Sequence, residues 1–353
     1  MVMGRRADVE TASAPIAAFA VAGLVEQMAL AVCSVPFRAP WRGSHSLSDN
    51  IGVSVTRQVM RSFMGYSTSL PTEEFRSIEV LIDDLCRVVM PPAVRALDVT
   101  MDRTELAGVP GIWYHPDKGQ QRSERGTVLY LHGGGYVGTC PTMYAAFNAY
   151  IARSSGCSVF APDYRLAPEF PFPAGLLDAA AVLEWLFEDG LEPSRFILAG
   201  DSGGGGLALS LLDDARTEHL PDPAGLVLFS PEVGLRFADA SVIDNAGKDI
   251  LPWNLPSASY LHGVDPLDPR VDPMNDDLSD YPPTFVAFGD DEMFRDSIRN
   301  FLAELDRVGV STTSFEEPGM FHVFPFLMPW ADASRRVFAD VGRFIVGCLP
   351  PMT

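Results

Sequence analysis

Residues 196–206 read FILAGDSGGGG. Phe196-Ile197-Leu198-Ala199 is a short apolar run of the kind a buried strand uses. Gly200-Asp201-Ser202-Gly203-Gly204 then turns, and Leu207, Leu209, Leu211 and Leu212 follow at spacings a helix can bury. Strand, tight turn and helix around G-x-S-x-G is an arrangement that lifts one hydroxyl clear of the backbone. Gly200 and Gly204 leave room where a Cβ would collide with a neighbouring element. Ser202 is the candidate nucleophile. Gly203 opens the helix, where backbone N–H groups are unpaired and the dipole favours an anion.

Working outward, strand-like runs alternate with helix-like ones. The strands fall at Leu97 to Met101, Gly111 to Tyr114, Thr127 to Leu131, Ser158 to Ala161, Phe196 to Ala199, Leu226 to Phe229, Thr284 to Phe288 and Ser311 to Phe315. The first two flank a polar turn, as an antiparallel pair would. Helices are expected at Met143 to Ser154, Ala174 to Glu188, Gly204 to Glu218, Ser297 to Val308 and Asp332 to Cys348. Such alternation implies an α/β fold, a mostly parallel central sheet flanked by helices, with sites at the carboxyl ends of its strands. The stretch Pro231 to Pro283 is rich in Pro, Asp and Gly and lacks periodicity. It is expected to contribute to a lid and to one wall of a pocket.

The first ninety residues are of another kind. Ala14 to Val35 is strongly apolar, and Asn50 to Tyr66 and Thr72 to Cys86 have helical patterns, with Pro91-Pro92 expected to end the last. Residues 1–90 thus read as a helical cap and 91–353 as the main domain. Three readings of 14–35 compete. A secretory signal is opposed by Asp8 and Glu10 ahead of the apolar run, and a membrane span by Glu26 and Gln27 near its middle. An amphipathic helix covering an apolar surface fits best, with peripheral membrane contact and a homodimer left open.

The 353 residues are 47% apolar and 20% charged, as in a packed globule. The formal net charge of −20 argues against a nucleic-acid partner. The five cysteines are scattered, which points to reduced thiols and a cytoplasmic protein, with membrane association left open. The six histidines lack ligand spacing, so no metal or other cofactor is expected.

His132-Gly133-Gly134-Gly135 directly follows the strand ending at Leu131. Bare backbone there can aim N–H groups at the negative charge that develops when an acyl carbonyl becomes tetrahedral. Gly134, Gly135 and Gly203 are the candidate donors. A hydroxyl nucleophile needs a base, and the base an orienting carboxylate, in the chain order serine, acid, histidine. Of His219, His262 and His322, only His322 follows the last strand, in the loop Pro318 to His322. The acid belongs on the loop after the preceding strand, where Asp290, Asp291, Glu292 and Asp296 crowd together and spacing does not choose. His132 precedes the serine and is expected to brace the glycine loop.

Taken together, HGGGYV (132–137), DYRLAPEFPFPA (163–174), GDSGGG (200–205), PPTFVAFGDDEMFRD (282–296) and GMFHVF (319–324) resemble the hormone-sensitive-lipase family of α/β-hydrolases. The resemblance spans roughly residues 95–347 and places the chain in the GDSGG subgroup. It implies Ser202 as nucleophile, His322 as base and Glu292 as acid, with Asp291 the runner-up, and an oxyanion hole of Gly134, Gly135 and Gly203. Family members more often carry Ala at position 203, and many carry Asp where Gly234 stands. The implied activity is hydrolysis of hydrophobic esters with short-to-medium acyl chains through an acyl-enzyme, falling below about pH 6 to 7 as the histidine protonates. The alternatives are a deacetylase, amidase or lactonase using the same groups, or a non-catalytic small-ligand receptor on the same fold. Phe19, Met28, Phe37, Trp41, Met60 and Phe63 of the cap are candidates for an apolar substrate pocket.

Overall fold

The computed structural model describes residues 9–116, 122–252, 255 and 257–352. Eight strands form one sheet: β1 (Thr100–Leu106), β2 (Val109–His115), β3 (Thr127–Leu131), β4 (Ser158–Pro162), β5 (Phe196–Asp201), β6 (Gly225–Phe229), β7 (Thr284–Gly289) and β8 (Thr312–Glu317). Their order is β1-β2-β4-β3-β5-β6-β7-β8. Only the β1–β2 and β2–β4 pairings are antiparallel; β4-β3-β5-β6-β7-β8 run parallel. Strands β3 to β7 are buried along their whole length, which is why they read as unbroken apolar runs.

Helices cover both faces. On one, α5 (Ala174–Glu188), α6 (Ser202–Thr217) and α9 (Arg295–Val308) pack around Leu129, Leu198, Leu228 and Val286. On the other, α4 (Ala145–Ser155) and α11 (Asp332–Cys348) pack around Val128, Ile197, Val227 and Phe285. The alternation of the strand side chains between the two clusters is the period of two expected of a sheet.

Three long helices precede the sheet: α1 (Ala14–Ser34), α2 (Leu47–Ser67) and α3 (Thr72–Ala96). The proline pair does not end α3. The helix continues through Pro91 and Pro92 to Ala96, so β1 starts later than expected, and the sequence boundary at 90/91 falls inside a helix. Proline forfeits the bond to the carbonyl four residues back, but Arg87 and Val88, which carry those carbonyls, are exposed to water.

Helix α1 is not amphipathic. Its inner face buries Ala20, Leu24 and Ala31, while Ile16, Phe19, Val25 and Leu30 are exposed on the outside. With the turn that follows, to Arg38, it is long and apolar enough to cross a membrane by length and composition. Within residues 231–283 lie only short helices among the described residues, α7 (Ala240–Asp244), α8 (Ser257–Leu261) and a 3-10 turn, Pro273–Asn275. A last short helix, α10 (Phe324–Leu327), lies between β8 and α11. All five cysteines are free thiols.

Candidate active site

Ser202 sits where β5 ends and α6 begins, with a backbone φ of 50°. That is left-handed geometry, strained for a residue with a Cβ, and it is held by its neighbours. A Cβ on Gly200 would lie 2.4 Å from the Gly204 carbonyl oxygen, and one on Gly204 would lie 2.2 Å from that of Leu131. Glycine is therefore required on both sides of the turn.

The hydroxyl oxygen of Ser202 lies 2.8 Å from Nε2 of His322. Nδ1 of the same ring lies 2.9 Å from Oε2 of Glu292. With the hydroxyl donating to Nε2, Nδ1 carries the proton that Glu292 accepts. His322 and Glu292 are buried, and Phe294 meets the imidazole edge-on with centroids 5.1 Å apart. The other Glu292 oxygen accepts the Gly289 N–H at 2.6 Å and the Ser230 hydroxyl at 3.1 Å. Burial lifts the Glu292 carboxyl, and those two donors draw it back. Burial lowers the His322 imidazole, against the opposing pull of the Asp249 and Asp201 carboxylates.

The remaining acids of the loop are engaged elsewhere. Asp291 pairs with Arg57 at 3.1 Å and lies 3.7 Å from Lys248. Asp290 accepts the Gly319 N–H at 2.5 Å, and Asp296 accepts the Ser241 N–H at 3.0 Å. His219 and His262 are exposed on turns away from this cluster.

Gly134 and Gly135, with φ of 121° and 58°, border the same cavity as Ser202. Neither N–H donates to another backbone group among the described residues. Gly203 stands against them: a Cβ there would approach the Gly135 Cα to 3.1 Å. His132 is buried; its Nδ1 lies 3.0 Å from the Thr139 hydroxyl, and its ring stacks on Tyr164 at 4.4 Å. Sequence reasoning passed over Asp201, the second residue of the turn motif. It accepts the Gly133 N–H at 2.8 Å and the Tyr130 and Tyr144 hydroxyls at 2.7 and 2.9 Å, which ties the glycine loop to the serine turn. Burial lifts its carboxyl to about 6.

A second unforeseen residue is Asp249, from the irregular stretch 231–283. Its fully buried carboxylate accepts the backbone N–H of Met293 at 2.7 Å and of His322 at 2.9 Å. It therefore joins the acid loop to the histidine loop. Helix α2 holds this junction from outside. Arg61 donates to the carbonyls of Ala246 and Asp249, and Arg57 to the carbonyl of Gly319. Gly234 has a φ of 76°, and a Cβ there would lie 2.9 Å from the Asp272 carboxyl.

Ser202 opens into a cavity of about 390 Å³ with a mostly apolar wall. Met28 of α1, Met60, Phe63 and Met64 of α2, and Phe75 and Ile82 of α3 form one side. Ile250, Leu251, Pro252 and Leu255 form part of another. Of the cap residues expected to line a pocket, Met28, Met60 and Phe63 do so. Phe19, Phe37 and Trp41 are not among the lining residues and stand 80%, 89% and 58% exposed.

A nucleophilic hydroxyl, a paired imidazole and unspent amides beside an apolar chamber suit acyl transfer from a hydrophobic substrate. Comparison with known proteins agrees. Residues 128–326 match a family model described as alpha/beta hydrolase fold. An acetyl-hydrolase of Streptomyces hygroscopicus is 34% identical over 237 residues, 66% of this chain and 78% of that protein. Carboxylesterase NlhH of Mycobacterium tuberculosis is 32% identical over 269 residues, 71% of this chain and 83% of that one. Among solved structures, a hormone-sensitive lipase from a metagenome library superposes with a TM-score of 0.73 at 29% identity, covering 84% of this chain and 98% of that one. An esterase from the bacterial hormone-sensitive lipase family gives 0.68 at 28% identity, covering 96% and 100%.

Proposed function

Because the chain belongs to the α/β-hydrolases, in their hormone-sensitive-lipase family, we propose that it is a serine hydrolase of hydrophobic carboxylic esters with short-to-medium acyl chains. The observation that carries the reading is the unbroken series from the Ser202 hydroxyl through His322 to Glu292, at 2.8 and 2.9 Å. Ser202 attacks the ester carbonyl while His322 takes its proton. The ring then passes that proton to the leaving alcohol, and water repeats the sequence on the acyl-enzyme. Glu292 keeps the imidazole in the reactive tautomer and faces its charged form. Gly134, Gly135 and Gly203 supply N–H donors to the tetrahedral oxygen, where one donor is worth about a hundredfold or more in rate. The chemistry calls for neither a metal nor an organic cofactor.

Helices α1 to α3 act as a cap over the cavity, with Met28, Phe63 and Phe75 meeting the substrate's apolar part. The exposed outer face of α1 rests on a lipid surface, since Ile16, Phe19, Val25, Leu30 and Val32 are exposed there, with Glu26 and Gln27 as polar breaks among them. Co-sedimentation with phospholipid vesicles, lost in a Phe19→Ser variant, tests this; a dimer that buries the same face would replace it. Free thiols fit a reducing compartment. The catalytic reading is tested by assaying p-nitrophenyl acetate through dodecanoate beside a p-nitroanilide. Ester turnover that peaks at short-to-medium chains supports it. Faster cleavage of the anilide would make the enzyme an amidase on the same residues.

A further inference from the structure

The cavity beside Ser202 is apolar, and most of the polar side chains along it are already spoken for. Asp201 holds Gly133, Tyr130 and Tyr144, Glu79 holds Arg76 and the Thr139 N–H, and Thr68 donates to the Met64 carbonyl. Glu232 is one exception. It follows β6 by a few residues, is only 4% exposed, and borders the cavity. Its main-chain N–H donates to the Ser202 carbonyl at 3.0 Å, which sets it beside the nucleophile. Its carboxyl group receives no hydrogen bond from any described residue. Burial alone lifts it, to about 8. The hydroxyl of Ser67, at the end of α2, borders the same cavity and is likewise buried without a partner among the described residues. A carboxyl with no partner next to a reaction centre costs stability in the empty protein, and a ligand that supplies the missing donor recovers it.

Building on the ester-hydrolase reading, we infer that Glu232 forms a polar subsite selecting esters with a hydrogen-bond donor, a hydroxyl or an ammonium, near the scissile bond. A plain alkyl ester leaves the Glu232 carboxyl unpaired, whereas a donor-bearing ester pairs it. Sites built to bond a substrate hydroxyl or amine discriminate strongly against the analogue that lacks it.

The test compares near-isosteric substrates by pH-stat. Ethyl butyrate is set against ethyl 3-hydroxybutyrate and ethyl 3-aminobutyrate for a donor in the acyl part. Propyl butyrate is set against 2-hydroxyethyl butyrate for a donor in the alcohol. At least one donor-bearing ester is expected to exceed its plain partner about tenfold or more in kcat/KM. The amino ester and the hydroxy esters separate the two donor types. In Glu232→Leu the ratio is expected to fall to near one, and in Glu232→Gln to an intermediate value. Thermal unfolding of both variants shows whether they fold, and the wild-type ratios need no variant. Turnover of ethyl and propyl butyrate with no preference for any donor overturns this inference and leaves the hydrolase reading standing. A preference that survives in Glu232→Leu overturns the assignment to Glu232. Absence of turnover on every ester overturns both.

Discussion

The carboxylate of Asp249 accepts the main-chain N–H of His322 at 2.9 Å, so the candidate base is held by its backbone as well as through its ring. The other oxygen of Asp249 holds Met293, next to the candidate acid. Removing this junction frees two loops whose alignment is the condition for proton transfer. Asp249→Ala is expected to lower kcat at least tenfold with a smaller change in KM, and to lower stability by about 1–3 kcal/mol or more through the buried N–H groups of Ile250, Met293 and His322 left unpaired. A variant with unchanged kcat, or with KM carrying the loss, would show that the junction does not position the site. Steady-state kinetics beside urea unfolding read both effects.

Glu292 and Asp291 are neighbours in sequence with different surroundings. Glu292 is buried against the imidazole, whereas Asp291 is partly exposed between Arg57 and Lys248. Glu292→Gln is expected to cost on the order of 10⁴ in kcat, the scale seen when a triad acid loses its charge. Asp291→Asn, which breaks a solvent-screened pair, should cost less than about tenfold. Ser202→Ala should leave no turnover above background. Equal losses at positions 291 and 292 would remove Glu292 from the proposed role.

The base must be neutral to accept the serine proton. Activity therefore falls as pH drops through the His322 pKa. Burial places that pKa below the ordinary 6.5, so the acid limb of kcat/KM should lie below pH 6.5, lower than sequence reasoning alone expects. The charged groups facing the ring are Glu292, Asp249 and Asp201. The last two oppose the lowering, so Asp249→Asn should move the limb further toward acid. A limb above pH 7, or one that moves the other way in this variant, contradicts the stated electrostatics.

Most of this architecture was legible in the chain because buried parallel strands are apolar runs closed by turns. Thr127–Leu131 falls where the pattern puts it, and Ala174–Glu188 and Asp332–Cys348 are equally plain as helices. The close approach of Ser202, His322 and Glu292 could be anticipated because each lies just past a strand at one edge of the sheet. Asp249 could not be, because its partners lie 44 and 73 residues away and its own segment has no periodicity. The extent of α3 was hidden because a proline pair reads as a stop unless the residues one turn earlier are known to be exposed. The outward turn of Phe19, Phe37 and Trp41 was hidden for another reason. A stretch apolar on all sides does not disclose which side faces the protein.

The pH dependence of stability should run opposite to that of activity. Asp213, buried beside the Tyr281 hydroxyl at 2.9 Å, is lifted by burial from 3.8 to about 7, and Glu232 from 4.5 to about 8. At pH 6.5 the folded protein still holds protons on these groups that the unfolded chain has already released, and it loses them as pH rises through about 7 and about 8. The unfolded state binds fewer protons, so stability falls as pH rises through that window. His322 and His115, both lowered by burial, act in the opposite sense but only at and below about pH 6.5. The formal charge of −20 adds self-repulsion in the same direction as the carboxyls. Urea unfolding should therefore give a higher midpoint at pH 6.5 than at pH 8.5, by a free energy on the order of 1 kcal/mol. Asp213→Asn, which keeps an acceptor for Tyr281 and cannot ionise, should flatten the slope. A midpoint that rises with pH would mean that these carboxyls are ionised in the folded protein at neutral pH, and that burial does not control them.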